Sequence, residues 1–241
     1  MSVKSFLLNF ILSLGLFCVS LYLAWQIGAS SNFLYTLWYE VIDIDTTISA
    51  YGPKNKNRHG FEQTSKQEQV RLFSEIVASI QNKGEGLNKL RYKNSNGKPV
   101  DTLLTEAEIV HLKDVANLVG IFKYFAIVGL LIAAAALFFM FIAKQKCAKF
   151  IYHLAGSLGF IVIITGVVFL VGPTKIFYAG HELVFPDNHP WFFYYEDSLM
   201  STMMKAPDLF GPIACELAAV TFLIWFLLLA IVRNVENYNF K

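Results

Sequence analysis

The sequence contains few cysteines and few charged side chains, and both shortages exclude classes of function. Its three cysteines, Cys18, Cys147 and Cys215, form no C-x-x-C pair, which excludes a disulfide framework and a zinc site built on thiolates. Charged residues make up 16% of the chain, against roughly 25% in soluble globular domains. The sequence also lacks a nucleophile elbow, a phosphate-binding loop and a broken helix of the transporter kind. The net charge of +2 gives no reason to expect a nucleic-acid partner.

Long apolar runs are abundant instead, and they predict the fold class. Hydrophobic residues make up 55% of the chain, and a helix needs about 20 apolar residues to cross hydrocarbon roughly 30 Å thick. Four segments meet or approach that length: residues 5–27, 117–143, 150–172 and 212–232. We therefore predict an all-α membrane protein with four transmembrane helices. Because these spans carry no charge at mid-depth, an ion or proton path is not expected.

The first apolar run has an alternative interpretation as a cleaved signal peptide. The run is longer than a typical signal-peptide core, and no small-x-small cleavage site follows it. The segment 14–18 is also a poor lipobox, because Phe17 stands where a small residue is needed. We therefore expect a retained span.

Basic residues beside the short loops predict the orientation of the spans. On one side lie Lys4, Lys144, Lys146, Lys149, Arg233 and Lys241, opposed only by Glu236. The positive-inside rule makes this side the cytoplasm, with both termini, the loop 144–149 and the tail 233–241. Residues 28–116 and 173–211 then lie outside, since long loops translocate largely regardless of their charge.

The long outer segment 28–116 is expected to fold as a mostly helical domain. Ser65 and Glu68 have the spacing of a capping box, and apolar residues recur behind them at helical intervals. Gly84 and Gly86 are expected to end that helix. A turn at Asn96-Gly97 predicts two short strands around residues 90–92 and 100–102.

A second capping pattern, from Thr105 to Glu108, predicts a helix that runs into the second span. At 1.5 Å per residue, Lys123 would lie near the outer edge of the hydrocarbon. Glu216, at the start of the fourth span, would share that depth, so the two side chains could form a pair. Such residues also serve as interfacial anchors and structural pairs.

The second outer segment, 173–211, is rich in aromatic side chains. These are Phe177, Tyr178, Phe185, Trp191, Phe192, Phe193, Tyr194 and Tyr195. Because Trp and Tyr prefer the headgroup level, we expect an aromatic loop that lies on or in the membrane interface.

Two histidines in the outer segments are candidates for proton transfer. His111 and Asp114 lie three residues apart on one helix face, which suits a general base oriented by a carboxylate, or a surface histidine beside a solvated aspartate. His181-Glu182 begins like a zinc-protease motif, but Phe185 replaces its second histidine, so a metalloprotease is not expected. A looser metal site from His111, His181, His189 and nearby carboxylates stays open, whereas His59 and His153 are interpreted as structural. Both candidates are expected to approach one membrane surface beside aromatics that could grip acyl chains, which suggests chemistry on a lipid.

Two segments resemble the signatures of a family of bacterial four-span membrane proteins. Residues 104–115 contain the pattern E-x-x-H-x-x-D-V, and residues 181–191 resemble a second signature in which His is followed by Phe, Asn and Trp. Asn57-Arg58, Phe61 and residues 207–210 also fit. The sequence is therefore similar to the lipoprotein intramolecular transacylases.

This resemblance implies a reaction and a location. An acyl chain would move from the sn-2 ester of a diacylglyceryl-modified lipoprotein to the α-amine of its N-terminal cysteine, leaving a lyso-form lipoprotein. The partners would be that diacylated lipoprotein and membrane lipid, with no cofactor and no metal. The protein would lie in the bacterial cytoplasmic (inner) membrane with its active site on the extracytoplasmic side.

The resemblance also implies which residues act. The signature histidines fall on His111 and His181, and our hypothesis makes His181 the base and His111 the donor, although the roles could be swapped. Supporting roles are expected for Asp114, Lys123, Glu182, Asn188, Trp191, Glu216 and Arg58. Two alternatives stay open: a phospholipid acyltransferase or hydrolase on the same scaffold, and a non-catalytic envelope assembly protein. The oligomeric state is not predicted.

Overall fold

A computed structural model describes residues 2–239, with side chains through residue 235. Its helices are α1 (Val3–Ser30), α2 (Tyr35–Val41), α3 (Ile44–Tyr51), α4 (Lys66–Gln81), α5 (Glu106–Ile142), α6 (Phe150–Val171), α7 (Pro173–Val184), α8 (Leu199–Met203) and α9 (Phe210–Asn239). Strands β1 (Arg91–Lys93) and β2 (Pro99–Thr102) form an antiparallel hairpin. By length and composition, the helices α1, α5, α6 and α9 could cross a membrane. The predicted fold class is therefore confirmed.

The chain divides into two compact units. The span unit comprises Met1–Ala24, Lys123–Phe185 and Ala219–Lys241. The mixed unit comprises Trp25–Phe122 and Pro186–Ala218, and it contains the hairpin.

Small residues bring two helices of the span unit together. A Cβ built on Gly15 of α1 would lie 2.5 Å from the carbonyl oxygen of Gly129 on α5, and one built on Gly129 would lie 2.8 Å from the carbonyl oxygen of Gly15. Lipid is as apolar as leucine, so helices in a bilayer gain little by hiding apolar side chains and associate through close backbone packing. Ala133 and Trp225 are buried beside this contact, in one cluster with Leu12 and others.

Large side chains form the core of the mixed unit instead. Tyr35 and Phe73 stack with ring centroids 4.1 Å apart, and Phe61 meets Tyr92 edge-on at 5.5 Å. The hydroxyl of Tyr35 donates to the carbonyl of Met203 at 2.7 Å, so its one polar atom is satisfied inside the core.

The predicted caps and strands are present. The Ser65 side chain accepts from the backbone N–H of Glu68 and begins α4. Thr105 and Glu108 form a reciprocal box: the Thr105 N–H donates to the Glu108 carboxylate at 2.5 Å, and the Glu108 N–H donates to the Thr105 hydroxyl at 3.4 Å. This box begins α5, which continues for 37 residues into the second span as predicted.

The structure differs from the sequence prediction after the third span. Residues 173–211 were expected to form an aromatic loop, but their first part is the 12-residue helix α7. Gly172, with φ of 95°, ends α6, and Pro173 stands at the first position of the next helix. Proline is favoured there because its N–H would have no helical partner and its φ is already helical.

Candidate functional site

His181 lies on the last turn of α7, in the span unit. Its Nδ1 is 2.8 Å from the carbonyl oxygen of Phe177, one helical turn earlier. A carbonyl oxygen can only accept, so Nδ1 must carry the proton and Nε2 is the basic atom of the neutral ring. The Phe177 ring lies 4.0 Å and the Phe185 ring 5.2 Å from the imidazole, centroid to centroid. The ring is thus held in one tautomer within an aromatic surround.

His111 lies on α5, in the mixed unit, two turns behind the Thr105–Glu108 cap. It is partly buried, and its ring centroid is 6.1 Å from that of Phe193. This contact joins α5 to the segment that follows α7. The two candidate histidines thus belong to different units, and their approach to one another stays a prediction.

Asp114 lies one helical turn after His111, and its carboxylate contacts His189. The sequence indicated His189 only as a possible ligand of a loose metal site. The Asp114 Oδ2 is 2.6 Å from Nδ1 of His189. The carboxylate therefore holds the Nδ1–H tautomer of His189, which makes Nε2 the proton acceptor of that ring. The contact described for the Asp114 carboxylate is therefore with His189. The role of Asp114 in orienting His111 stays a prediction.

Glu108 fixes a second connection between α5 and the later segment. Its side chain is fully buried, and its carboxylate accepts a hydrogen bond from the hydroxyl of Ser198. The same Ser198 hydroxyl accepts from the Ser201 N–H at 2.8 Å and so begins α8. A buried carboxylate is costly unless its oxygens are hydrogen-bonded, and here Thr105 and Ser198 supply the donors. Residues 198–201 are thereby anchored to the start of the helix that carries His111.

Arg58 holds the residues that directly precede α5. Its guanidinium donates to the carbonyl of Thr102 at 2.7 Å and to that of Leu104 at 3.3 Å, and it lies 3.8 Å from the Asp101 carboxylate. Leu104 directly precedes the capping residue Thr105. Arg58 therefore holds the strand end from which the His111 helix begins.

The basic stretch before Arg58 contacts the segment after Trp191. The Lys56 N–H donates to the carbonyl of Glu196 at 2.8 Å, and the Asn57 side chain donates to the carbonyl of Asp197 at 2.8 Å. The Lys56 ammonium also lies 3.0 Å from the Asp197 carboxylate. These contacts all lie within the mixed unit.

The remaining predicted residues lie in several places. Glu182 and Asn188 are exposed, and Trp191 is partly buried. The ring centroids of Trp191 and Phe192 are 6.1 Å apart. Lys123 is exposed and belongs to the span unit, whereas Glu216 belongs to the mixed unit, so their pairing stays a prediction.

The part of the chain that the structure describes contains no group of three His, Cys, Asp or Glu side chains that could hold a metal ion. The loose site of His111, His181 and His189 would draw on both units, so it stays a prediction. An imidazole can in general accept or donate a proton, and the polar groups described above supply hydrogen bonds.

The family model for lipoprotein intramolecular transacylase Lit matches residues 10–206. The chain belongs to this family. Its fold is similar to solved structures of the membrane integral lipoprotein intramolecular transacylase Lit from Bacillus cereus. One of these, a variant with a histidine replaced by arginine, has a TM-score of 0.65 and 16% identity over 98% of this chain and 93% of that one.

A second Lit structure from the same organism also has a TM-score of 0.65 and 16% identity, and it covers 98% of both chains. A third, with a histidine replaced by alanine, has a TM-score of 0.61. A search of curated protein sequences found no match. The four-span membrane fold and the transacylase family thus rest on independent findings.

Within this transacylase fold, sequence reasoning missed His189 and Ser198 as partners of the signature residues. Both partners lie far along the chain, 75 residues from Asp114 and 90 residues from Glu108 respectively. The available signal was that Asp114 and Glu108 stand on one face of a helix with His111, which makes them candidates to receive a second segment.

Proposed function

We propose that this protein moves the sn-2 acyl chain of a diacylglyceryl lipoprotein onto the α-amine of the lipoprotein's N-terminal cysteine. The observation that carries the proposal is the fixed tautomer of His181. Its Nδ1–H donates a hydrogen bond to the carbonyl oxygen of Phe177, with 2.8 Å between nitrogen and oxygen. An imidazole in that tautomer takes a proton at Nε2, so it can act as a general base toward an amine. The family membership supports a lipoprotein as the substrate class.

The proposed reaction needs no enzyme nucleophile. The neutral amine nitrogen attacks the ester carbonyl carbon, and His181 removes the proton that the nitrogen loses. The carbon–oxygen bond to glycerol then breaks, and the glycerol oxygen takes a proton from His111. The products are an amide at the cysteine and a free sn-2 hydroxyl, so the total mass of the lipoprotein is unchanged. The amine and the ester belong to one molecule, so the enzyme does not have to bring two separate reactants together.

The mixed unit supplies a scaffold for the donor. The Thr105–Glu108 box and Arg58 hold the start of α5, and the His189–Asp114 bond fixes the segment after α7 one turn from His111. We assign Asp114 and His189 a positioning role, because their bond fixes two segments to each other.

The proposed location is the bacterial cytoplasmic membrane, with the reacting groups on the extracytoplasmic side. Four apolar helices and the membrane integral Lit structures support a membrane protein. The basic residues of the loop 144–149 support the orientation through the positive-inside rule.

The test is mass spectrometry of a synthetic diacylated lipopeptide after incubation with the purified full-length protein in detergent. We expect an unchanged total mass with one acyl group found on the N-terminal amine. Replacement of His181 or of His111 by Ala should lower the rate by roughly 10²–10⁴-fold. His59→Ala is the matched control, because His59 is exposed and its backbone carbonyl, not its ring, accepts from Tyr92.

Other products would contradict the proposal. Loss of an acyl group as free fatty acid would indicate hydrolysis. Full activity in His181→Ala would remove the histidine from its proposed role. No product from a folded protein and a validated lipopeptide would favour a non-catalytic role in envelope assembly.

A further inference from the structure

The span unit contains a cavity of about 510 Å³ between α1, α6 and α9. Its volume lies within the roughly 300–1,000 Å³ typical of small-molecule sites. The wall is mostly aromatic, with Phe10, Phe17, Phe160 and Trp225 among its lining residues. Neither His111 nor His181 lines it. The aromatic walls of the cavity suit an acyl chain.

Polar side chains gather in this wall near the short loop between α5 and α6. Asn9 and His153 line the cavity, and Ser13 Oγ lies 3.4 Å from His153 Nδ1. The Asn9 side chain accepts from the Ala148 N–H at 2.7 Å and donates to the Lys146 carbonyl at 3.3 Å. The basic loop is thus held beside the polar part of the cavity.

Positive charge adjoins the same polar groups. A small second cavity, of about 20 Å³, shares Asn9, Ala148 and His153 with the first one, and Arg233 is among its lining residues. Lys146 and Lys149 belong to the adjoining loop. Among the ion pairs of the described residues, none includes Arg233, Lys146 or Lys149. Within the described residues, the charged side chains on this side of the cavity are therefore all basic.

We propose that this cavity binds an anionic phospholipid, with an acyl chain in the aromatic part and the phosphate against Arg233, beside Lys146 and Lys149. Basic pockets between transmembrane helices bind anionic lipid headgroups. Each Lys or Arg near the membrane surface contributes about 1 kcal/mol, which is roughly fivefold in affinity. The predicted orientation makes the lipid one of the cytoplasmic leaflet. A zwitterionic lipid would fill the aromatic part equally well but would lack the net charge that Arg233 selects.

The test uses Trp225, which lines the cavity. The full-length protein is reconstituted in phosphatidylcholine vesicles that contain increasing fractions of phosphatidylglycerol with brominated acyl chains, which quench tryptophan fluorescence. The Trp225→Phe variant gives the contribution of the other tryptophans. We expect Trp225 to be half-quenched at a several-fold lower fraction of brominated phosphatidylglycerol than of brominated phosphatidylcholine.

Two pairs of variants sharpen the test. Arg233→Gln should raise the half-quenching fraction of phosphatidylglycerol roughly fivefold, whereas Lys144→Gln, at a residue that lines neither cavity, should change it less than about twofold. Gly156 lines the cavity, and a Cβ there would meet no atom within 4 Å, so Gly156→Leu should fill the space and reduce the quenching. Gly166→Leu on the same helix is the control, since a Cβ there also meets nothing within 4 Å and the residue does not line the cavity.

Equal quenching by both lipids would overturn the proposed preference for an anionic headgroup. Equal effects of Gly156→Leu and Gly166→Leu, in proteins that both retain their helical circular dichroism, would overturn the cavity as the place where the acyl chain binds. Both outcomes leave acyl transfer untouched, because the assay contains no lipoprotein.

Discussion

The span unit and the mixed unit use opposite packing. In the mixed unit several large side chains form the core, with Tyr35, Phe61 and Tyr92 fully buried. In the span unit the helices α1 and α5 meet through Gly15 and Gly129, and large apolar side chains such as Phe169, which is 86% exposed, face outward. Burial of apolar area stabilises a fold in water, whereas lipid solvates apolar side chains as well as the protein interior does.

This difference explains why the polar residues of α5 that pair with other segments lie in its first part. Polar groups such as Glu108 and Asp114 need hydrogen-bond partners, and the mixed unit supplies them from Ser198 and His189. The later part of α5, in the span unit, has Ala133 and Ala136 buried in an apolar cluster instead. One helix therefore carries two kinds of surface, each suited to its solvent.

The largest expected effect on stability comes from truncation of a buried ring in the mixed unit. Phe61→Ala should destabilise that unit by about 3–5 kcal/mol, because it removes a fully buried side chain and leaves a cavity. Phe169→Ala, in the span unit, removes an equally large but exposed ring and should cost far less. Hydrogen exchange of the full-length protein in detergent measures both, and equal losses of protection would contradict the comparison.

Enlarging a small residue, rather than truncating a large one, should destabilise the span unit. Gly129→Leu places a Cβ 2.8 Å from the Gly15 carbonyl oxygen, so α1 and α5 must separate, at a cost of about 1–3 kcal/mol. Gly166→Leu is the control, because a Cβ on that glycine meets no atom within 4 Å. We expect a lower midpoint of thermal unfolding in detergent for the first variant alone. A normal midpoint for Gly129→Leu would mean that the close approach is not required.

The His189–Asp114 bond should matter for activity more than for stability. Asp114→Asn removes the charge that holds His189, and a charge-assisted hydrogen bond contributes about 1.5–3 kcal/mol, so the rate of acyl transfer should fall at least about tenfold. The pH profile of the rate should also change, which a purely structural loss would not cause. Asp187→Asn is the matched control on the same segment, since Asp187 is exposed. An unchanged rate and pH profile in Asp114→Asn would contradict the positioning role.

The smallest expected effect is a dependence of the mixed unit on acid. Burial disfavours the charge of Glu68, but hydrogen bonds from Arg71 at 2.7 Å and from the Lys93 N–H at 2.7 Å, with the positive charges of both residues, outweigh it. The pKa of the Glu68 carboxyl is therefore below its ordinary value. A lowered native pKa gives stability that is present above the unfolded pKa and is lost as pH falls through the native pKa.

This acid dependence can be measured by hydrogen exchange of the hairpin at several pH values. Protection of residues 91–102 should fall below about pH 4.5, the region of the unfolded glutamate pKa. Glu68→Gln should lower the protection at neutral pH and flatten its acid dependence. A variant that keeps the wild-type acid dependence would assign it to another group.

The sequence predicted the features whose signals are local. The spans follow from uninterrupted apolar runs, the starts of α4 and α5 from capping residues three positions apart, and the hairpin from Asn96-Gly97. The helix α7 was missed because its aromatic residues were interpreted only as an interfacial loop. Pro173 after Gly172 was the local signal for its start.

The partners within the site were beyond local reasoning. Whether His189 contacts Asp114, or Ser198 contacts Glu108, depends on how segments 75 and 90 residues apart meet in the folded chain. Spacing along a helix shows which residues share a face, but it does not show which later segment packs on that face. The resemblance indicated the two histidines without their surroundings.

The most direct test of the proposed intramolecular transfer is a crossover experiment. Two diacylated lipopeptides of different peptide sequence, one with a deuterated sn-2 chain, are mixed and incubated with the full-length protein, and the N-terminal peptides are analysed by mass spectrometry. We predict that each N-acyl group stays on the peptide that carried it as an ester, in both products. Deuterated chains on the unlabelled peptide, at a frequency set by mixing, would contradict intramolecular transfer and indicate a shared acyl donor.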